Sequence, residues 1–492
     1  MVNKNKSCGK SQLSHYSPLS LFSIDDCPVK VPAAGNRNGT SLNNAGENGN
    51  YWSSTPNEDN DNNAYNLNFN ANGNNWNNWN NRYNGHSVRP VQEFTRGLEN
   101  TGKDLFFNIT KEQLLLDLYR AYKDAGKHKR GRTCLLEYEY NLEDNLIKLR
   151  DELWNRTYKP LPSTCFIIHD PKMREVFAAA FKDRIVHHLF YNYTYELFVR
   201  TFIADSYSCI KGRGTHYGIE RLKHHIRSVS AGWTKPCYVL KIDIRGYFMH
   251  IDRNILLRLC RESLTKMKNH KSDVNGKKWC DVIDYEFTDY LLQIIITTEP
   301  TGDCVILGKK EDWVGLPPDK SIFMSDKDCG LPIGNLSSQL FSNVYMNTFD
   351  QFMKRKLGCK HYGRYVDDAF VVSDNRDFLK ALIPQIRNFL NENLKLSINE
   401  DKLQIENADY GVEFLGAYIK PFRTYISNKT LRRIRRNLSV IKTNDIGLYA
   451  SVNSFLGVFS HYNSYRIRRV LFGNNKSLIE SGVFSKDWLL YK

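Results

Sequence analysis

His361-Tyr362-Gly363-Arg364-Tyr365-Val366-Asp367-Asp368-Ala369-Phe370-Val371-Val372 sets two adjacent carboxylates between apolar, aromatic and β-branched runs. The runs read as two short strands, so the Asp pair falls at the tip of a hairpin. Like charges side by side repel, and a fold keeps such a pair most readily when a cation neutralises it. Mg²⁺ is held by one or two carboxylates together with substrate phosphates, and a strand-borne Asp-Asp tip fits that use. An exposed acidic turn is the plain alternative.

A second segment strengthens the metal reading. Tyr238-Val239-Leu240-Lys241-Ile242-Asp243-Ile244 is a buried-strand pattern with one Asp at its end, and Phe248 follows five residues later. Two metal ions roughly 4 Å apart can activate an attacking hydroxyl and stabilise the leaving oxygen of a phosphoryl transfer. One strand-end Asp plus an Asp-Asp hairpin would supply their ligands. Between them, Gly330-Leu331-Pro332-Ile333-Gly334-Asn335-Leu336-Ser337-Ser338-Gln339 is a Gly/Pro turn opening a helix. That helix is apolar at Leu340, Phe341, Val344, Tyr345, Phe349 and Phe352, a helical spacing.

In this order the three pieces resemble the palm of a reverse transcriptase, over roughly residues 130–470. Lys172-Met173-Arg174-Glu175-Val176 and Lys182 to His188 look like its fingers motifs, and Asp205 to Thr215 resembles the segment before the first palm strand. Leu396 to Lys402 is similar to the motif with a lysine near the nucleotide phosphates, and Val412 to Gly416 to the primer-grip hairpin. The resemblance implies an α+β right-hand polymerase with fingers, an antiparallel palm sheet and a helical thumb. It implies a metal-binding triad of Asp243, Asp367 and Asp368, with the main-chain carbonyl of Ile244 as a further contact. Two Mg²⁺ ions are the expected cofactor, with Mn²⁺ as a substitute. Lys172 and Arg174 match the residues that hold the incoming triphosphate; a solvated basic turn is the alternative. Phe248 matches the ring that rejects a ribose 2′-hydroxyl, or else is a core Phe. Lys402 is the candidate general acid for the pyrophosphate leaving group, against a surface Lys. Gln339 is expected near the template. Retroviral polymerases carry Gln where this chain has Ile333, and that Gln touches the incoming nucleotide. An apolar residue cannot replace those hydrogen bonds, so Ile333 is a candidate source of low fidelity; simple packing is the alternative.

The turn-helix segment from Pro332 to Asn343, Trp313 to Ser321, and Arg174 to Ala179 look most like reverse transcriptases of diversity-generating retroelements. Residues 36–84 add a different clue, with 21 Asn among Gly, Trp and Tyr. Such a composition cannot bury enough apolar surface to offset ordering, so a largely disordered segment is expected. Its wording, at Tyr51 to Thr55, Ala64 to Phe69 and Gly85 to Val91, resembles the end of a C-type-lectin-like variable protein, the target class of these retroelements. Their template repeat is rich in AAY codons, which encode Asn. Randomising both adenines never makes a stop codon. Residues about 34–93 therefore read as template repeat translated in frame, through an upstream start or a genuine fusion. Base stacking by Trp76, Trp79 and Tyr83 is a lesser alternative. In the family the enzyme copies a template-repeat RNA from a DNA or RNA primer, with errors at adenines and with a small basic accessory protein. A retron or phage-defence reverse transcriptase is the nearest alternative. A catalytically inactive nucleic-acid-binding or lectin-like display protein is the alternative of another class.

Charge agrees with this division. Residues 1–95 carry seven basic and seven acidic side chains, so the whole +16 excess of the 492-residue chain falls on residues 96–492. A basic excess confined to the folded part suits a polyanion. Arg432, Arg433, Arg435 and Arg436 concentrate it in the expected thumb, where they could track template–primer phosphates; a solvated helix face is the alternative. The expected domains are an Asn-rich segment 1–95, fingers 105–235, palm 236–427 with an insertion 266–329, and thumb 428–492. Thr110 with Gln113 reads as a capping box opening a helix over Leu114 to Ala125, and a second helix is expected over 143–154. Eleven cysteines without a Cys-x-x-Cys pair read as reduced thiols of a cytoplasmic protein. No run approaches the roughly 20 apolar residues of a membrane span.

Overall fold

The computed structural model describes residues 109–169, 172–272, 276–440 and 447–492, with the backbone of five strands between 36 and 81. Contacts divide the chain into two units, Met1–Lys103 and Asp104–Lys492. In the first, β1 (Asn36–Asn38) pairs with β2 (Ser41–Asn43), while β3 (Gly49–Pro56), β4 (Asn63–Asn70) and β5 (Gly73–Asn81) form an antiparallel sheet in that order. Composition had not placed these strands. The rest of the Asn-rich segment, to which the expectation of disorder also applied, lies outside the described residues.

The second unit is a mixed helix and sheet structure. It opens with α1 (Lys111–Gly126), α2 (Thr133–Tyr140) and α3 (Leu142–Trp154). Thr110 Oγ1 accepts from the Gln113 amide at 3.2 Å, as a helix cap should. The reciprocal half of the capping box is absent, because the Gln113 side chain donates to Asp117 instead. The first helix begins three residues earlier than its apolar period implied. The eight-residue α2 escaped the reading because it is short and buries only Leu135. Then come the hairpin β6 (Thr164–Ile168) and β7 (Arg174–Ala178), α4 (Phe181–Val199) and α5 (Thr215–Val229).

The chain continues with β8 (Tyr238–Asp243), α6 (Tyr247–His250), α7 (Arg253–Met267), α8 (Tyr285–Thr297), β9 (Val305–Ile306), α9 (Leu336–Gln351), β10 (Tyr362–Tyr365), β11 (Asp368–Ser373), α10 (Arg376–Leu394) and β12 (Gln404–Asn407). One sheet has the antiparallel order β10-β11-β8-β12, with β8 and β11 inside. Alternation sorts their side chains onto two covered faces. Leu240, Ile242, Ala369 and Val371 enter the core with the buried face of α9, whereas Val239, Phe370 and Val372 join Tyr207, Leu222 and Phe414. Burial on both sides is why these strands read as nearly continuous apolar runs. A second antiparallel sheet, β13 (Val412–Phe414), β14 (Ala417–Lys420) and β15 (Arg423–Ile426), leads to the helical end: α11 (Asn428–Ser439), α12 (Leu448–Phe459), α13 (Tyr465–Gly473) and α14 (Lys476–Ser481). All nine cysteines among the described residues are free thiols. No helix among those residues is long and apolar enough to cross a membrane.

Candidate active site

The register of the two inner strands sets Asp368 directly opposite Asp243. Asp367 is the turn residue just before β11. Burial, and then the charge of Asp243, hold the Asp367 carboxyl above the usual carboxylate range. Burial, then Asp367 and Asp243, push Asp368 up to about 7. This is the signature of an uncompensated carboxylate cluster. Lys402 supplies one cation, its Nζ donating to both Asp243 oxygens at 2.8 Å. Burial works against that ammonium, but its bonds to Asp243 prevail and raise its pKa. Asn399 Nδ2 donates to Asp243 Oδ2 at 2.9 Å, and the Asn399 amide to the Asp243 carbonyl at 2.8 Å. Ile244 is buried, its main chain bridged to Ile398. Among the described residues, no three His, Cys, Asp or Glu side chains form a ready-made metal cluster. The donor chemistry nevertheless suits a hard divalent cation: carboxylate oxygens only, and more negative charge than one lysine offsets.

The hairpin tip rests on residues that the sequence reading missed. Val366 has φ +56°, a left-handed conformation that a β-branched residue adopts only under constraint. Both of its main-chain polar groups are held. Its amide donates to Ser208 Oγ at 3.2 Å, and its carbonyl accepts from Arg364 Nη1 at 2.8 Å. Arg364 is fully buried and paired with the fully buried Asp350 of α9, through Nε at 2.8 Å and Nη2 at 2.7 Å. Asn343, also on α9, donates to the Ser208 carbonyl at 2.8 Å. Asn343 and Asp350 lie seven residues apart, two helical turns, on the apolar face of α9. Polar residues at core positions of a helix were the signal available. Breaking a buried pair such as Arg364–Asp350 costs about 3–5 kcal/mol.

The other candidates divide into two groups. Lys172 faces the carboxylates. Desolvation lowers its pKa first, then Lys429 and Lys402 add to it, while Asp368 opposes them. Arg174 is exposed at the start of β7. Phe248 is half-buried on α6, and its carbonyl accepts from the Leu331 amide at 2.8 Å. Ile333 is also half-buried, and its carbonyl accepts from the Phe177 amide at 3.0 Å. Gly334 follows with φ +127°, where a Cβ would stand 3.0 Å from the Phe177 carbonyl oxygen. This close approach locks the Gly/Pro turn onto β7. Gln339 is exposed in the first turns of α9. On α11, Ile434 and Leu438 are buried, leaving Arg432, Arg435 and Arg436 exposed and Arg433 half-buried.

Residues 319–419, which hold the Asp pair and Lys402, match the family model of reverse transcriptase (RNA-dependent DNA polymerase). The chain carries a reverse transcriptase domain. Asp243 lies outside the matched span and joins the Asp pair through the strand register. Protein YkfC of Escherichia coli (strain K12) is 24% identical over 302 residues, covering 54% of this chain and 69% of that protein. The putative COX1/OXI3 intron 2 protein of Saccharomyces cerevisiae is 34% identical over 89 residues, 16% of this chain and 10% of that one. Among solved structures, apo telomerase from Candida Tropicalis is similar at a TM-score of 0.40 and 12% identity, over 66% of this chain and 57% of that one. The chain thus spans just over half the length of the telomerase chain it matches.

Proposed function

We propose that this polymerase copies a template-repeat RNA into cDNA at the Asp243, Asp367 and Asp368 site, with errors concentrated at adenines, to diversify a target gene. The observation that carries the catalytic part is the register that sets Asp368 against Asp243 beside Asp367. These three side chains and the Ile244 carbonyl would hold two Mg²⁺ ions, or Mn²⁺ in their place. The ions would lower the pKa of the primer 3′-hydroxyl and balance the charge that develops on the phosphate. The hydroxyl attacks the α-phosphate of a deoxynucleotide, and pyrophosphate leaves. Lys172 and Arg174 bind the triphosphate, and Phe248 excludes a ribose 2′-hydroxyl. Lys402 gives a proton to the leaving group. Gln339 lies along the template, and the α11 arginines hold the duplex backbone without reading its sequence.

The diversity-generating part rests on the Asn-rich stretch 36–84 and on the motifs around Ile333. It brings with it a small basic accessory protein as partner and a cytoplasmic setting. The test is reverse transcription of the RNA that encodes residues 34–93, with the cDNA sequenced. Substitutions should fall mainly opposite template adenines. An error spectrum spread evenly over the four template bases would remove this reading and leave an ordinary reverse transcriptase.

A further inference from the structure

Glu175 is a buried carboxylate, 1% exposed, that the chemistry above does not use. It sits on β7 beside Arg174, and its side chain accepts hydrogen bonds from the segment before α9. Trp313 Nε1 donates to Glu175 Oε1 at 2.8 Å, and Ser321 Oγ donates to the same oxygen at 3.0 Å. The Ile322 amide donates to Oε2 at 2.7 Å. Both oxygens are therefore needed as acceptors, which a carboxylate provides and an amide side chain does not. The same segment adds β9 to the fingers hairpin, parallel to β6.

Its other flank lies on the turn that carries Phe248. Arg245 Nε stands 3.5 Å from Asp319 Oδ2. Gly246 has φ +52°, and a Cβ there would come within 2.7 Å of the Asp319 carbonyl oxygen, so backbone meets backbone. Ile322 is buried with Phe177 and Met249, and Phe248, Trp313 and Ile333 pack against that cluster. The segment thus spans from the fingers hairpin to the ring assigned to sugar selection.

We infer that residues 299–329 form the outer wall of the nucleotide pocket, and that Glu175 is the positioning residue that seats this wall against Phe248. The inference deepens the proposed reading and rests on Phe248 as the residue that meets the sugar. A steric filter works only if its ring cannot retreat. Ile322 belongs to the cluster against which Phe248 and Trp313 both pack, and Glu175 holds Ile322 and Trp313 through hydrogen bonds.

The test is the ratio of kcat/KM for ribonucleotide over deoxyribonucleotide insertion, measured for wild type, Phe248→Ala and Glu175→Gln on one RNA template. Glu175→Gln turns one acceptor into a donor facing a donor, and the ratio should rise by at least about fivefold, in the direction of Phe248→Ala, because a site loses discrimination when its fixed contacts loosen. Deoxynucleotide insertion should fall by less than the ratio rises, which mere loss of folded protein cannot produce. Should Glu175→Gln fail to fold, Trp313→Phe removes one N–H, keeps a ring, and serves the same comparison. A raised ratio in Phe248→Ala with an unchanged ratio in the folded wall variants overturns the wall and leaves the polymerase reading standing. No change in Phe248→Ala removes the sugar assignment and the wall with it. Absence of DNA synthesis by wild type removes the underlying reading instead.

Discussion

At the scale of single residues, Val366 shows how the candidate site is held in shape. A constrained backbone costs on the order of 1–3 kcal/mol and persists only where its surroundings over-determine it. Here Ser208, Arg364, Asn343 and Asp350 do so. Ser208→Ala removes the acceptor of the Val366 amide without touching a carboxylate. It should lower kcat on the order of 10-fold to 100-fold, since small misplacement of reacting groups costs that much, with KM for deoxynucleotides little changed. A KM effect alone would assign Ser208 to substrate binding. Ile333→Gln should add polar contacts to the incoming base and lower misincorporation opposite template adenine. Error spectra with and without the proposed accessory protein check this, and an unaltered adenine error rate in both would make Ile333 a packing residue. The Asp pair was legible because like charges at a hairpin tip stand out against apolar strands. Arg364 was not, although it lies three residues away. A strand arginine normally points to solvent, and its partner Asp350 belongs to another element.

At the scale of elements, strand pattern and helix period located β8, β10, β11 and α9, and each holds a buried face. The missed features are those whose cause lies far along the chain. β9 has two exposed residues and exists because β6 offers an edge to pair with. The wall over 299–329 depends on a carboxylate more than a hundred residues earlier. The contact between α4 and α9 yields a pH prediction. His187 Nδ1 lies 2.6 Å from Ser337 Oγ, and burial, then His188 and Arg184, lower its pKa to about 4. An unfolded His titrates near 6.5, so between those values the unfolded chain binds a proton that the folded chain refuses. Stability should therefore fall as pH drops from about 6.5 toward about 4, and His187→Gln should lose part of that fall. Melting temperatures across this range decide the matter, and a wild-type-minus-variant difference that stays constant with pH contradicts the assignment. For α11, replacing Arg432 and Arg435 by Gln should weaken template–primer binding uniformly over sequences. The slope of log K against log salt should drop by about 1–2 if both touch phosphates. An unchanged slope would make them a solvated helix face.

At the scale of the whole molecule, the division between a charge-neutral first segment and a basic second unit was visible in composition alone. The fold class followed from three motifs in order, because the carboxylates that chemistry brings together sit on strands that must pair. What composition could not supply was the strand pairing between 36 and 81, since Asn-rich sequence has little strand propensity. If the value of that segment lies in its nucleotide sequence, a protein lacking residues 1–95 should extend a primer as the full chain does, with the template supplied separately. A truncated protein that cannot extend would make the segment a working part of the enzyme. The central claim is RNA-templated DNA synthesis at the Asp triad. The most direct measurement is extension of a DNA primer on an RNA template with deoxynucleotides and Mg²⁺, by the full-length chain and by Asp367→Asn of matched thermal stability. The account predicts long cDNA from the first and a loss of several orders of magnitude in the second, because a charged metal ligand is gone. Equal extension by both proteins would contradict it.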